Sequence, residues 1–309
     1  MEPFTLDAAD GETIRGLCWQ PETAPRAVVL IVHGMGEYAA RYRRFAESLA
    51  AAGYAVYAHD QRGHGEWPQR RGWFAAEQGW NKVVDDVDAV RRHAAARHEG
   101  LPLLLFGHSM GSFVARAYLL HHGRGLAGLV LSATGYRQAW LARLMRRVAG
   151  LAGRLGGAAN PSRGMSRLVF GSFNLSFVPA RTTVDWLSRD RAEVDRYLAD
   201  PLCGFDFTPA LWQDLFGGII ALEAGEKRGR DLPPCPVLLL TGSRDPVSLG
   251  RYALRQLERR YRRAGLDDIT LKVYRGGRHE MLNETNREVV TADILAWLER
   301  VSAAARPSA

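Results

Sequence analysis

Residues Leu101 to Gly111 read Leu-Pro-Leu-Leu-Leu-Phe-Gly-His-Ser-Met-Gly. An apolar, strand-like run ends at Phe106 and passes into Gly107-His108-Ser109-Met110-Gly111, and a helix is predicted over Ser112–His122. The G-x-S-x-G spacing between a strand and a helix presents a serine as a nucleophile on a strained turn, with glycines where strand and helix crowd one another. A serine hydroxyl is a poor nucleophile near neutral pH. It needs a base to take its proton, and the base needs a partner to fix its tautomer.

The expected chain order is serine, then acid, then histidine. Of nine histidines, only His121, His122 and His279 follow Ser109. The first two close the helix that starts at the serine, about 20 Å from it at ~1.5 Å per residue. His279 follows a predicted strand and Gly276-Gly277-Arg278, so it is the expected base. The expected acid is Asp245, in the loop Thr241-Gly242-Ser243-Arg244-Asp245-Pro246 after a predicted strand Val237–Leu240. Pro246 favours an extended Asp245, and a helix-capping role is the competing reading. Asp206, Asp267 and Asp268 are worse placed. Acyl transfer also needs donors for the oxyanion. The backbone N–H groups of Met110, after the serine, and of Met35, in His33-Gly34-Met35-Gly36, are expected to supply them.

These loops must hang from a sheet. A hairpin is predicted from Phe4–Leu6 and Thr13–Trp19 about Asp10-Gly11. Strands over Ala27–Val32, Tyr54–Ala58 and Leu126–Leu131 then alternate with helices over Arg43–Ala52 and Val83–Arg97. The rhythm breaks after residue 133 and resumes at Val237, with a helix over Leu249–Ala264, a strand over Ile269–Tyr274 and a closing helix over Glu288–Ala303. Such alternation predicts an α/β fold with a mostly parallel sheet and helices on both faces. Residues 1–133 and 232–309 form its two core parts. Residues 134–231 are an insertion, expected as a helical cap over the carboxyl ends of the strands. In it, Leu141, Leu144, Met145, Val148, Leu151 and Leu155 share one helical face among Arg143, Arg146, Arg147 and Arg154.

The 309 residues contain 41 basic and 33 acidic side chains, a net charge of +8 supplied almost wholly by arginine. With no nucleic-acid motif, this is read as composition rather than as a nucleic-acid site. No apolar run is long enough to span a bilayer. No secretory leader is visible at the start, and three widely spaced cysteines suggest reduced thiols, so a cytoplasmic location is expected. The basic amphipathic stretch Arg137–Leu155 is expected to pack onto the core, with contact to an anionic membrane surface as the second reading.

Five segments carry a resemblance: His33-Gly34-Met35-Gly36-Glu37 with Arg41-Tyr42, the loop Asp60–Gly65, Gly107–Gly111, Gly242–Val247 and Arg278–Glu284. Together the chain resembles the monoacylglycerol lipase and lysophospholipase group of α/β-hydrolases, often filed with serine aminopeptidases. The resemblance implies the α/β-hydrolase fold and hydrolysis of carboxylic esters of single-chain lipids without metal or cofactor. It casts Ser109 as nucleophile, Asp245 as acid, His279 as base, and Met35 and Met110 as oxyanion donors. Large apolar residues across the insertion, among them Trp140, Phe170, Phe173, Trp186, Trp212 and Phe216, would favour a medium or long acyl chain, at about 0.8 kcal/mol per methylene buried. An aminopeptidase or acyltransferase on the same triad stays open, with Glu193, Asp195 and Asp206 as candidate partners for a free amine. The reading from another class is a non-catalytic binding protein of this fold. Oligomeric state is not legible in the residues.

Overall fold

The computed structural model describes residues 1–136, 139–228 and 232–305. Arg137, at the start of the amphipathic stretch, Asp231, at the expected edge of the insertion, and the tail 306–309 lie outside the described residues. Eight strands form one sheet: β1 (Glu2–Asp7), β2 (Thr13–Trp19), β3 (Ala27–Val32), β4 (Tyr54–His59), β5 (Leu103–His108), β6 (Leu126–Ser132), β7 (Val237–Gly242) and β8 (Ile269–Tyr274). Their spatial order is β1-β2-β4-β3-β5-β6-β7-β8. The first hairpin pairs antiparallel with itself and with β4, and the remaining pairings are parallel.

Every residue of β3, β4, β5 and β7 is buried. That is why these strands read as near-continuous apolar runs rather than as an alternation. Their side chains divide between two cores. Val28, Leu30, Leu103 and Leu105 face α2 (Gly79–Arg97) and α3 (Met110–His122). Val29, Ile31, Leu104 and Phe106 face α1 (Arg43–Ala51) and the last helix, Arg287–Ala304. The chain goes from β3 to β4 on one side, then returns to β5 on the other. This switch of direction opens a crevice at the carboxyl ends of β3 and β5, where open parallel sheets bind ligands.

Between β6 and β7 lie α4 (Ala139–Gly156), α5 (Arg163–Asn174), α6 (Arg191–Ala199) and α7 (Pro209–Arg228), with no strand among the described residues. After β7 come α8 (Arg251–Arg263) and, beyond β8, α9 (Arg287–Ala304). The inserted helices are anchored by a buried ion pair. Arg116 of α3 grips Glu226 of α7 through two bonds of 2.9 and 2.8 Å, and donates to the carbonyl of Gly135 at 2.7 Å. Tyr261 of α8 donates to the same carboxylate at 3.1 Å. Helix α3 thus holds both ends of the segment between β6 and β7.

The expected inward packing of the α4 apolar face is only partly found. Ala139, Ala142, Ala149 and Gly153 are the buried positions, small enough to let α4 lie close on α7. Leu144, Leu151 and Leu155 are 48, 57 and 82 % exposed. Two other predicted helices start earlier than expected: α2 at Gly79 rather than Val83, and α3 at Met110 directly after the serine.

Candidate active site

Ser109 sits between β5 and α3 with φ 51° and ψ −118°, a backbone region that side chains rarely adopt. Such strain costs about 1–3 kcal/mol and persists only where the surroundings enforce it. Here the Ser109 N–H is tied to the Ser132 carbonyl at 3.0 Å, and α3 runs so close to β3 that a Cβ on Gly111 would collide with the carbonyl oxygens of Val32 and His33. The glycine spacing read in the sequence has this steric cause.

Asp245 follows β7 and His279 follows β8. The two loops touch because Gly242 presents no side chain to the backbone of Gly277 and Arg278. The Nδ1–H of His279 donates to Asp245 Oδ1 at 2.8 Å. Asp245 is 1 % exposed and also accepts from the Val247 N–H at 2.9 Å and the Thr241 hydroxyl at 2.9 Å. Burial pushes its carboxyl up, but the adjoining His279 and these hydrogen bonds more than offset that, so it is held below the usual carboxylate range. An anionic Asp245 can only accept, which puts the proton on Nδ1 and leaves the Nε2 lone pair of His279 free to take one.

The loop carrying His279 is stitched to the segment between α5 and α6. The N–H groups of His279 and Glu280 donate to the carbonyls of Trp186 and Leu187 at 3.3 and 2.8 Å. Buried Glu284 accepts from the backbone of Arg189 and Arg278 at 3.0 and 2.9 Å and from the Arg189 side chain at 2.8 Å. Trp186 packs on the His279 ring with centroids 4.8 Å apart.

The loop after β3 is fixed from both sides. Burial pushes the imidazole of His33 down to about 3, so it is neutral. Its Nδ1–H donates to the Gly34 carbonyl at 2.7 Å, while Nε2 accepts from the Gln61 N–H at 2.9 Å. Glu37 takes the Gly34 N–H at 2.5 Å and the Tyr42 hydroxyl at 2.8 Å. The Gly204 N–H, between α6 and α7, donates to the Gly36 carbonyl at 3.1 Å. Met35 and Met110 line the same cavity as Ser109 and His279. Among the described residues no acceptor takes the N–H of either methionine.

That cavity, about 330 Å³, is walled by the inserted helices. Of the aromatic residues expected there, Phe170, Phe173, Trp186, Trp212 and Phe216 line it, with Leu141 and Met145 of α4. Trp140, Leu144 and Leu175 face outward, at 58, 48 and 71 % exposure. His121 and His122 close the far end of α3, and Asp268 pairs with Arg300 at 2.8 Å, so neither competes with His279 or Asp245. Among the described residues no cluster of histidine, cysteine or carboxylate side chains could hold a metal ion.

Sequence reasoning gave no role to Glu37, Arg41 or Glu280. Arg41 donates to Glu37 at 2.9 Å and grips Glu280 through two bonds of 2.9 Å each, joining the loop after β3 to the loop that carries His279. The four-residue spacing of Glu37 and Arg41 was visible, but their partner 239 positions later was not.

The pattern of the hydrolase family described as serine aminopeptidase, S33 matches residues 23–286. The chain belongs to that family. It is an α/β-hydrolase of the monoglyceride lipase type. It is 31 % identical to the monoglyceride lipase of Homo sapiens over 96 % of this chain and 90 % of that one. Identity to the monoacylglycerol lipase of Mycolicibacterium smegmatis is 29 %, over 91 and 90 % of the two chains. Among solved structures, a thermostable carboxyl esterase from Bacillus coagulans superposes with a TM-score of 0.88 at 26 % identity, covering 97 % of this chain and 98 % of that one. This hydrolase therefore keeps the family fold over nearly its whole length.

Proposed function

We propose that this α/β-hydrolase cleaves single-chain lipid esters, monoacylglycerol or lysophospholipid, through an acyl-enzyme on Ser109, beneath a cap formed by residues 134–231. The observation that carries the reading is the juxtaposition of a strained serine and an aspartate-held imidazole in one largely apolar cavity. The Ser109 hydroxyl attacks the ester carbonyl and passes its proton to Nε2 of His279. The oxyanion is received by the N–H groups of Met35 and Met110. Collapse of the tetrahedral intermediate releases the alcohol, which leaves with the proton from His279. Water, deprotonated in turn by His279, then frees the fatty acid and regenerates the serine. The names of the human and mycobacterial relatives support a glycerol ester as substrate.

Replacing Ser109 with alanine lowers kcat/KM on 1-acylglycerols by several orders of magnitude. Near-normal turnover in that variant would refute the mechanism. The aminopeptidase reading finds less support. Glu193 is paired with Arg44 and Arg196, Asp195 is paired with Arg181, and neither they nor Asp206 line the cavity.

The same proposal includes peripheral contact with lipid. No acidic residue occurs between Glu99 and Asp185. Over that span the exposed Leu144, Leu151, Leu155 and Leu168 lie among exposed Arg143, Arg147, Arg154 and Arg167. An apolar surface set among guanidinium groups suits an anionic lipid interface. Among the described residues no helix is long and apolar enough to cross a membrane.

A further inference from the structure

The two oxygens of Asp245 are held differently. Oδ1 takes the ring N–H of His279 at 2.8 Å and the Val247 N–H at 2.9 Å. Oδ2 takes the Thr241 hydroxyl at 2.9 Å and a longer bond, 3.3 Å, from the Ser248 N–H. Thr241 is the penultimate residue of β7, and Ser248 lies in the turn before α8. Their hydroxyl oxygens are 2.8 Å apart, and both residues are 0 % exposed. The direction of each proton follows from the chemistry. A carboxylate only accepts, so Thr241 gives its single hydroxyl proton to Oδ2 rather than to the Gly242 carbonyl at 3.4 Å. Between the two hydroxyls, Ser248 must then be the donor. Against burial, which pushes the Asp245 carboxyl up, the Ser248 side chain acts with His279 and the Val247 N–H to hold it below the usual carboxylate range.

Resting on the proposed triad, we infer that Thr241 and Ser248 are positioning residues for Asp245. They form a relay, Ser248 to Thr241 to Oδ2, that fixes the far side of the carboxylate and keeps Oδ1 turned to the His279 N–H. A carboxylate turns about its last bond with little resistance, and without Thr241 the backbone bond of 3.3 Å alone would hold Oδ2. The relay also draws negative charge toward Oδ2, the more so because a hydroxyl that accepts a bond donates more strongly. A released Oδ2 would leave more charge on Oδ1. That favours the protonated imidazole, which cannot take the proton of Ser109. The other groups around His279 stand apart from this relay. His108 of β5, with ring centroids 4.9 Å away, is pushed by burial down to about 4 and is neutral. Glu280 and Glu37 are held by Arg41, while Arg244 and Arg278 turn onto the ring of Phe177.

The test uses Thr241→Val, Thr241→Ser, Ser248→Ala and the double variant of valine and alanine. Hydrolysis of p-nitrophenyl butyrate is followed across pH, with active sites titrated by a fluorophosphonate. Thr241→Val keeps the shape of the side chain. It lowers kcat at least fivefold with KM changed less than twofold, and it moves the acid limb of kcat/KM upward by at least half a pH unit. Thr241→Ser restores both. Ser248→Ala acts in the same direction but less. The double variant loses no more than Thr241→Val alone, because Ser248 works through Thr241. A role in folding alone would lower the melting temperature and leave the acid limb in place. An acid limb unmoved in Thr241→Val, no rescue by Thr241→Ser, or losses that add in the double variant would overturn the inference while Ser109→Ala still abolished turnover. Survival of turnover in Ser109→Ala would instead overturn the catalytic reading, and this inference with it.

Discussion

Asp245 keeps a negative charge at 1 % exposure because every bond it accepts favours the ionised form, the one from the imidazole of His279 among them. An asparagine there has the same shape but offers an N–H to Nδ1, which moves the ring proton to Nε2 and leaves no lone pair for Ser109. Asp245→Asn is therefore expected to lower kcat by about four orders of magnitude with little change in KM. Steady-state kinetics on a p-nitrophenyl ester check this, and a loss below tenfold would mean that Asp245 does not set the tautomer. The positions proposed for the triad could be picked out because each follows a strand of the sheet and chain order left a single suitable histidine. The residues that hold them could not. Glu284 and the Glu37–Arg41–Glu280 bridge act across folded distances, and charged residues near a motif read alike whether they lie in solvent or in an interior ion pair.

Among the elements, α4 shows what periodicity can and cannot decide. The leucine spacing identified residues that share a face, yet it did not say which way the face points. The helix seats itself by Ala142, Ala149 and Gly153, because small residues allow close approach to α7, and so turns Leu144, Leu151 and Leu155 outward. The strands suffered no such ambiguity, since a run buried on both faces has no outer side to misplace. If the outward leucines meet lipid, Leu144→Glu with Leu151→Glu removes about 1.5–3 kcal/mol of burial per residue. Binding to phosphatidylglycerol vesicles then falls at least tenfold in a co-sedimentation assay, while hydrolysis of p-nitrophenyl butyrate is retained. Unchanged vesicle binding would remove α4 from the contact.

At the scale of the whole molecule, the sheet and its loops bury four neutral imidazoles. Burial pushes His33 and His64 down to about 3, and His59 and His108 down to about 4. In the unfolded chain each takes up its proton near pH ~6.5. Below that pH the unfolded state binds more protons than the folded one, so stability falls as pH falls and is fully lost only beneath the folded values. Near pH 5 the difference approaches four protons, or about 5 kcal/mol per pH unit. Glu280 acts in the same direction at lower pH. With its carboxyl brought down to about 2, its contribution is complete above the ordinary carboxylate range and is lost progressively from there down through about pH 2. Urea midpoints should therefore decline steeply from pH 6.5 to 4, and a flat profile down to pH 5 would show that the four rings are not buried neutral.

Everything proposed for catalysis passes through one oxygen atom. Treating the protein with a fluorophosphonate and mapping the adduct by peptide mass spectrometry tests this most directly. One phosphonyl group should appear, on Ser109, and labelling should disappear in Ser109→Ala and slow at least a hundredfold in His279→Ala. An unlabelled Ser109, or an adduct formed as readily without His279, would contradict the account.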